Sequence, residues 1–313
     1  MKTTKTRIQG LFLLLITIFF LYLGTSFAIE AKMIKFTFNP KNGTTFIQTL
    51  TTTREKDLGL FGTQVDESVS TTKITVKKTE GGWEIIAQPL TAVMKRNGQV
   101  VEHPIFKLLS KLVITYQLDQ QGVLKEIIGY DEVLTNALFP PQVVKKVAPL
   151  LNADALKQKA ISEWNGRIGD YLGKTISLGD SWEAVAPITL PNGTNLNYKI
   201  TTHFKTLEPC GNIKCLRIEQ NYESDVKGIA EKTNEVIKSL AEGVEPNSLQ
   251  EGLPVMKDQG SSIQGTVIRL IDPNTMLIYQ EELERTMFLE MELAGTGPIP
   301  TKMIEKRIYH FEY

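Results

Sequence analysis

Cysteine and histidine are scarce in this chain: its 313 residues include two of the first and three of the second. Excess charge is absent too, with 35 basic residues against 35 acidic ones. The missing positive balance argues against a general nucleic-acid binder, which needs a basic patch or stripe. Two cysteines cannot form a dense disulfide framework, and a chain this long needs none to bury a core. A zinc site asks for more clustered ligands than His103, His203 and His310 offer. Nucleophile elbows of the Gly-x-Ser-x-Gly type, His-Glu-x-x-His metal helices and Gly-rich phosphate loops are all missing. No catalytic residue, metal or cofactor is therefore expected. A hydrophobic content of 42% with 22% charged residues describes ordinary globular material.

One long apolar run is present, and only at the start. Lys2, Lys5 and Arg7 precede the uncharged stretch Leu11–Leu23, and Ser26 and Ala28 hold the small-residue positions before a cut. This is the three-part pattern of a secretory signal peptide, residues 1–28. The other reading is an uncleaved anchor, since about 20 apolar residues span a bilayer; membrane contact is then expected through that segment alone. Cleavage removes three basic residues and leaves 32 against 35 acidic ones, a net charge of −3. The protein is read as exported, periplasmic or extracellular. In an oxidising compartment Cys210 and Cys215, in Pro-Cys-Gly-Asn-Ile-Lys-Cys, are expected to staple a turn.

From residue 33 onward the apolar pattern has period two. Lys35–Phe38, Thr45–Thr53, Lys73–Lys77, Trp83–Ala87 and the pair 112–118 and 123–128 read as strands broken by turn residues. Helical spacing intervenes at 130–138 and 142–151. A longer helix capped by Asn152 carries Ala155, Leu156, Ala160, Ile161 and Trp164, is extended by Ile168 and Leu172, and ends at Gly173. Strands resume at 180–182, 195–206 and 213–222. The stretch 225–262 reads as an amphipathic helix and loop inserted between strands, and 264–271, 276–280, 283–293 and 302–313 are β again.

The expectation is a mainly β, α+β chain: a large curved antiparallel sheet or open barrel with a helical connector. It forms a single β-rich domain, 29–313, with a first half 29–130, a connector 131–172 and a second half 173–313. Asn-Gly-Thr turns at 42–44 and 192–194 make two similar halves one option, and the small vocabulary of hairpin turns makes coincidence another.

Gly179-Asp180-Ser181 looks like the start of a GDSL-type hydrolase block, but Arg307 stands where an Asp should precede His310 by three residues. A turn opening a strand with Trp182 inward explains the same letters. Met287, Leu289, Met291 and Leu293 share one strand face; adaptable methionine there suits either a sheet core or a surface for apolar ligands.

Together, Lys41-Asn42-Gly43, Leu118-Asp-Gln-Gln-Gly122, Leu178-Gly-Asp-Ser-Trp182 and Lys214-Cys-Leu-Arg-Ile218 resemble a family of exported bacterial all-β proteins of LolA/LppX-type architecture. That resemblance implies a carrier of lipoprotein or lipid, in which a curved sheet wraps a cavity beside helices. It implies binding of acyl chains or a lipidated partner, and it carries over no contact residue. The expected function is thus a non-enzymatic cell-envelope protein with a hydrophobic or lipid-like ligand. The alternatives are an envelope interaction module with a protein partner and no small ligand, or a hydrolase using Ser181.

Overall fold

The computed structural model describes residues 33–57, 59, 62–102, 111–131, 153–189, 195–224, 231, 234, 255–292 and 298–313. All of these except Met33 belong to one compact unit, 34–313. The strands of the first half are β1 (Met33–Lys35), β2 (Thr45–Asp57), β3 (Thr63–Lys78), β4 (Trp83–Arg96), β5 (Gln99–Val100), β6 (Ile114–Leu118) and β7 (Leu124–Ile128). A helix α1 (Ala153–Trp164) and a π-helical turn, Asn165–Gly169, follow. The second half adds β8 (Thr175–Ser177), β9 (Ser181–Thr189), β10 (Asn195–Cys210), β11 (Ile213–Ser224), β12 (Val255–Ile271), β13 (Ile278–Glu292) and β14 (Pro298–Glu312).

Twelve of these strands form one antiparallel sheet, in the order β7-β6-β4-β3-β2-β14-β13-β12-β11-β10-β9 with β5 on β4. Each half of the chain contributes a meander, and β14 zips against β2 to join them. β1 and β8 make a separate two-stranded ladder. The sheet is mostly built of alternating sequence. In β10, Tyr198 and Phe204 are buried and Ile200 is half-buried, while Lys199 and Lys205 on the other face are exposed. That alternation specifies register, since a one-residue slip would turn every apolar side chain outward.

The sheet curls, and one short segment shows how far. Phe38 meets Trp83 of β4 edge-on at 5.7 Å, and Phe36 lies 6.0 Å from Phe204 of β10. Strands β4 and β10 are seven places apart in the sheet, about 34 Å if it were flat. Two residues of extended chain cover only about 7 Å. The ends of these strands must therefore roll toward each other, and a strongly twisted sheet does this readily. It is not closed into a barrel. Instead α1 packs against both edge strands, β7 and β9.

The core fills the rolled end. Phe36, Phe38, Trp164, Tyr171 and Ile176 meet Val76, Trp83, Leu118, Phe204, Leu216 and Ile271 from the strands around them. Trp164 packs on Phe38 at 6.2 Å and on Tyr116 at 5.9 Å, and Tyr171 stacks on Trp182 at 5.8 Å. Trp182 thus points inward, as its place after the Gly-Asp turn suggested. That turn is held by Asp180, whose carboxylate accepts the Ser177 N–H at 2.7 Å.

Several boundaries differ from those read in the sequence. β3, β4 and β9 extend well past the segments read at 73–77, 83–87 and 180–182, to Thr63–Lys78, Trp83–Arg96 and Ser181–Thr189. The α-helix stops at Trp164 and gives way to the π turn Asn165–Gly169, which Glu281 and Arg269 hold through Arg167 and the Gly166 carbonyl; Ile168 and Leu172 still pack on the core. β12 begins at Val255, so the end of the stretch 225–262 is strand and not loop. The segments 276–280 and 283–293 belong largely to one continuous strand, β13. The signal peptide expected at 1–28, the helix expected at 142–151, most of the one expected at 130–138 (Tyr130 and Asp131 are turn) and most of 225–254 lie outside the described residues.

Candidate functional site

The helix and π turn fill one end of the inner face. The strands run on beyond them, and there the inner face becomes polar in an ordered way. The register brings Arg285 of β13, Glu305 of β14, Arg54 of β2, Asp66 of β3 and Arg96 of β4 into one cross-strand row of alternating charge. Opposite charges directly across a ladder stabilise it, and like charges would not.

Glu305 is the centre of this row. Its oxygens accept from Arg54 Nε at 2.9 Å and Arg307 Nε at 3.0 Å, and it also pairs with the Arg285 guanidinium. Its side chain is 0% exposed, whereas those of Arg54, Arg285 and Arg307 are 40%, 22% and 22% exposed. Burial alone would raise the Glu305 pKa, but the guanidiniums of Arg307, Arg285 and Arg54 outweigh it and hold it at about 2. Asp66 is arranged likewise, with Lys56 Nζ at 2.6 Å, Arg96 Nε at 2.9 Å and the Gln64 amide donating as well. Burial opposes its ionisation, and hydrogen bonds from Lys56, Arg96 and Gln64 bring it to about 2.

A third buried carboxylate bolts the π turn to the sheet. Glu281 accepts both Nε (3.1 Å) and a terminal nitrogen (2.7 Å) of Arg167, and Nε of Arg269 at 2.5 Å. Arg269 donates in turn to the Gly166 carbonyl at 3.3 Å, at the end of the helix where carbonyls lack partners. The Arg167 guanidinium lies 4.4 Å from the centre of the Tyr309 ring. Despite burial, the charges of Arg167 and Arg269 keep the Glu281 pKa at about 2.

Apolar groups border the arginines. Tyr198 and Ile263 are buried together, with Ile200, Tyr222 and Met287 packed on them. Met287 stands opposite Met303, which stands opposite Lys56, one row beyond Arg285, Glu305 and Arg54. Gly265 lies between Tyr222 and Arg285 in the row. A Cβ there would sit 2.4 Å from the Tyr222 hydroxyl, so the missing side chain lets the tyrosine lie across the strand.

Of the four residues proposed as an apolar face, Met287 is half-buried on this inner face against Tyr198 and Ile263. Leu289 and Met291 follow at alternate ladder positions, opposite Thr301 and Ile299. Leu293 lies outside the described residues. Cys210 and Cys215 are joined by a disulfide, with Cα atoms 5.8 Å apart, across the β10–β11 turn. Ser181 is exposed on the opposite, outward face, in register with His203, which is itself opposite Glu219. Glu219 is engaged by Arg217 at 2.9 Å and Lys205 at 3.4 Å, and no hydrogen bond among the described residues joins Ser181 to His203.

The arginine row was not legible in the sequence. Arg54 and Glu305 are 251 residues apart, and each sits in a strand where a charged residue reads as solvated. Only the pairing of the chain's two ends brings them together. A cleft of about 650 Å³ also exists, lined by polar side chains such as Lys199, Glu223, Glu284 and Lys306 together with Tyr222, Ile268 and Leu283. Among the described residues no group of three or more His, Cys, Asp or Glu side chains could hold a metal, and no helix is long and apolar enough to cross a membrane.

No protein-family model and no curated protein matches this chain. Among solved structures, a structure of lipovitellin described for its lipid–protein interactions is similar, at 9% sequence identity and a TM-score of 0.41. The likeness covers 87% of this chain and 25% of lipovitellin, so the chain spans about a quarter of the length of the protein it matches.

Proposed function

We propose that this is an exported, non-enzymatic binding protein of the cell envelope, and that it holds a hydrophobic, lipid-like ligand on the inner face of the sheet beyond the helix. One observation carries this reading. The described helix and π turn cover the rolled end of the sheet, while farther along Ile200, Tyr222, Leu283, Met287 and Met303 remain only half-buried on the same inner face. Side chains of this kind gain from an apolar ligand, at roughly 25 cal/mol per Å² removed from water. Export is supported by the targeting pattern of residues 1–28 and agrees with the Cys210–Cys215 disulfide.

The test is to purify the protein from its host, extract it with organic solvent and analyse the extract by mass spectrometry. A stoichiometric acyl lipid is the expected result. Absence of any lipid, together with no binding of a fluorescent fatty acid or its ester, overturns the reading in favour of an envelope interaction module.

A further inference from the structure

We infer that the inner face selects an anionic amphiphile, with its carboxylate or phosphate headgroup held by Arg54, Arg285 and Arg307 and its acyl chain laid over Tyr222, Met287 and Met303. This rests on the lipid-binding reading and adds the ligand's charge and orientation.

The charge count is the first support. On this part of the inner face five cations, Arg54, Lys56, Arg96, Arg285 and Arg307, attend two carboxylates, Glu305 and Asp66. The carboxylates lie beneath, at 0% and 6% side-chain exposure, and the cations lie above them. What the face presents to a ligand is therefore positive. Composition does not require this, since the whole chain has no net charge. The same strands show the contrast on their outward face. There the corresponding row is Glu284, Lys306, Thr53, Glu67 and Lys95, which balances one for one and uses only lysine as its cation.

The choice of arginine is the second support. A guanidinium has five donors in a planar fork that fits carboxylate or phosphate. Arg54 and Arg307 each give Nε to Glu305, and their terminal nitrogens make no hydrogen bond among the described residues. Arg285 reaches Glu305 through a terminal nitrogen, and its buried Nε has no partner among the described residues. Glu305 thus serves to hold three guanidiniums side by side, where they would otherwise repel one another. Partly desolvated cations attract an anion more strongly than solvated ones do. The adjoining row, Met287 and Met303, continues the surface with adaptable apolar groups.

Binding of cis-parinaric acid and of its methyl ester, followed by fluorescence with the purified protein at neutral pH and low salt, tests this. The acid is expected to bind at least tenfold more tightly than the ester. In the Arg54→Gln/Arg307→Gln double variant that preference should disappear while ester binding persists. The outward-facing control Lys95→Gln/Lys306→Gln should retain it. If the double variant fails to fold by circular dichroism, Arg54→Gln alone is compared, with at least a threefold loss of preference expected. Equal binding of acid and ester by the unaltered protein overturns the headgroup inference and leaves the lipid-binding reading standing. A preference that survives the arginine substitutions overturns this site. Binding of neither probe overturns both.

Discussion

Glu305 and Arg285 face each other across the β13–β14 ladder, the carboxylate wholly buried and the guanidinium partly open to solvent. The pair stands at the middle of a sheet built from both halves of the chain, so its integrity reports on their union.

Glu305→Gln should be among the most destabilising single changes in the sheet. It removes the only negative charge bonded to Arg54, Arg285 and Arg307 among the described residues. Breaking a buried pair from one side costs about 3 kcal/mol or more, because the remaining charges are left uncompensated. Arg54→Gln should cost less, about 1 kcal/mol, since that side chain is the most exposed of the three and two guanidiniums remain. Urea midpoints of the two variants give the comparison.

Acid should unfold the protein in a defined window. Asp66, Glu281 and Glu305 are each held at about 2 in the folded chain, against ordinary carboxylate values near 4 when unfolded. Unfolding therefore takes up protons at low pH. The stabilisation is complete above pH ~5 and is lost as pH falls through ~4 toward ~2. Urea denaturation across this range should show the decline, and Glu281→Gln should make it shallower.

Gly122→Ala should disturb the rolled core. Gly122 has φ +86°, and a Cβ there would lie 2.4 Å from Cβ of Phe38. Phe38 would have to retreat from Trp83 and Trp164, which it touches edge-on. Backbone strain and overpacking together predict a loss of about 2–4 kcal/mol. A changed tryptophan emission spectrum should accompany the lowered melting temperature.

Replacing Cys210 and Cys215 together by serine should cost only about 2 kcal/mol, because the loop they close is short. The turn lies at the rolled end, away from the arginine row, so affinity for parinaric acid should stay within twofold of the unaltered protein. Thermal unfolding and a parallel binding titration measure the two effects separately.

The sequence by itself determined the material of this fold. Alternation such as that of Tyr198, Ile200, Thr202 and Phe204 is a local property that a half-buried strand imposes, and turn chemistry at Asp119–Gly122 and Gly179–Asp180 is local as well. The Asp119 carboxylate accepts the N–H groups of Gln121 and Val123, at 3.0 and 2.9 Å, as a hairpin of that composition should. The short cysteine spacing was local too. The end of α1 at Trp164 was less legible, because the π turn is held by Arg269 and Glu281, which arrive from strands more than 100 residues later.

Tertiary structure alone decided which strands are neighbours and which face of each is inside. Met287 was visible as part of an apolar face, but no local rule could say that Arg285 beside it would share a carboxylate with Arg54. That contact exists because β14 closes on β2 and the sheet rolls around Phe36, Phe38 and Trp164. A charge in an isolated strand reads as solvated; only the completed register buries Glu305 and leaves three arginines gathered above it.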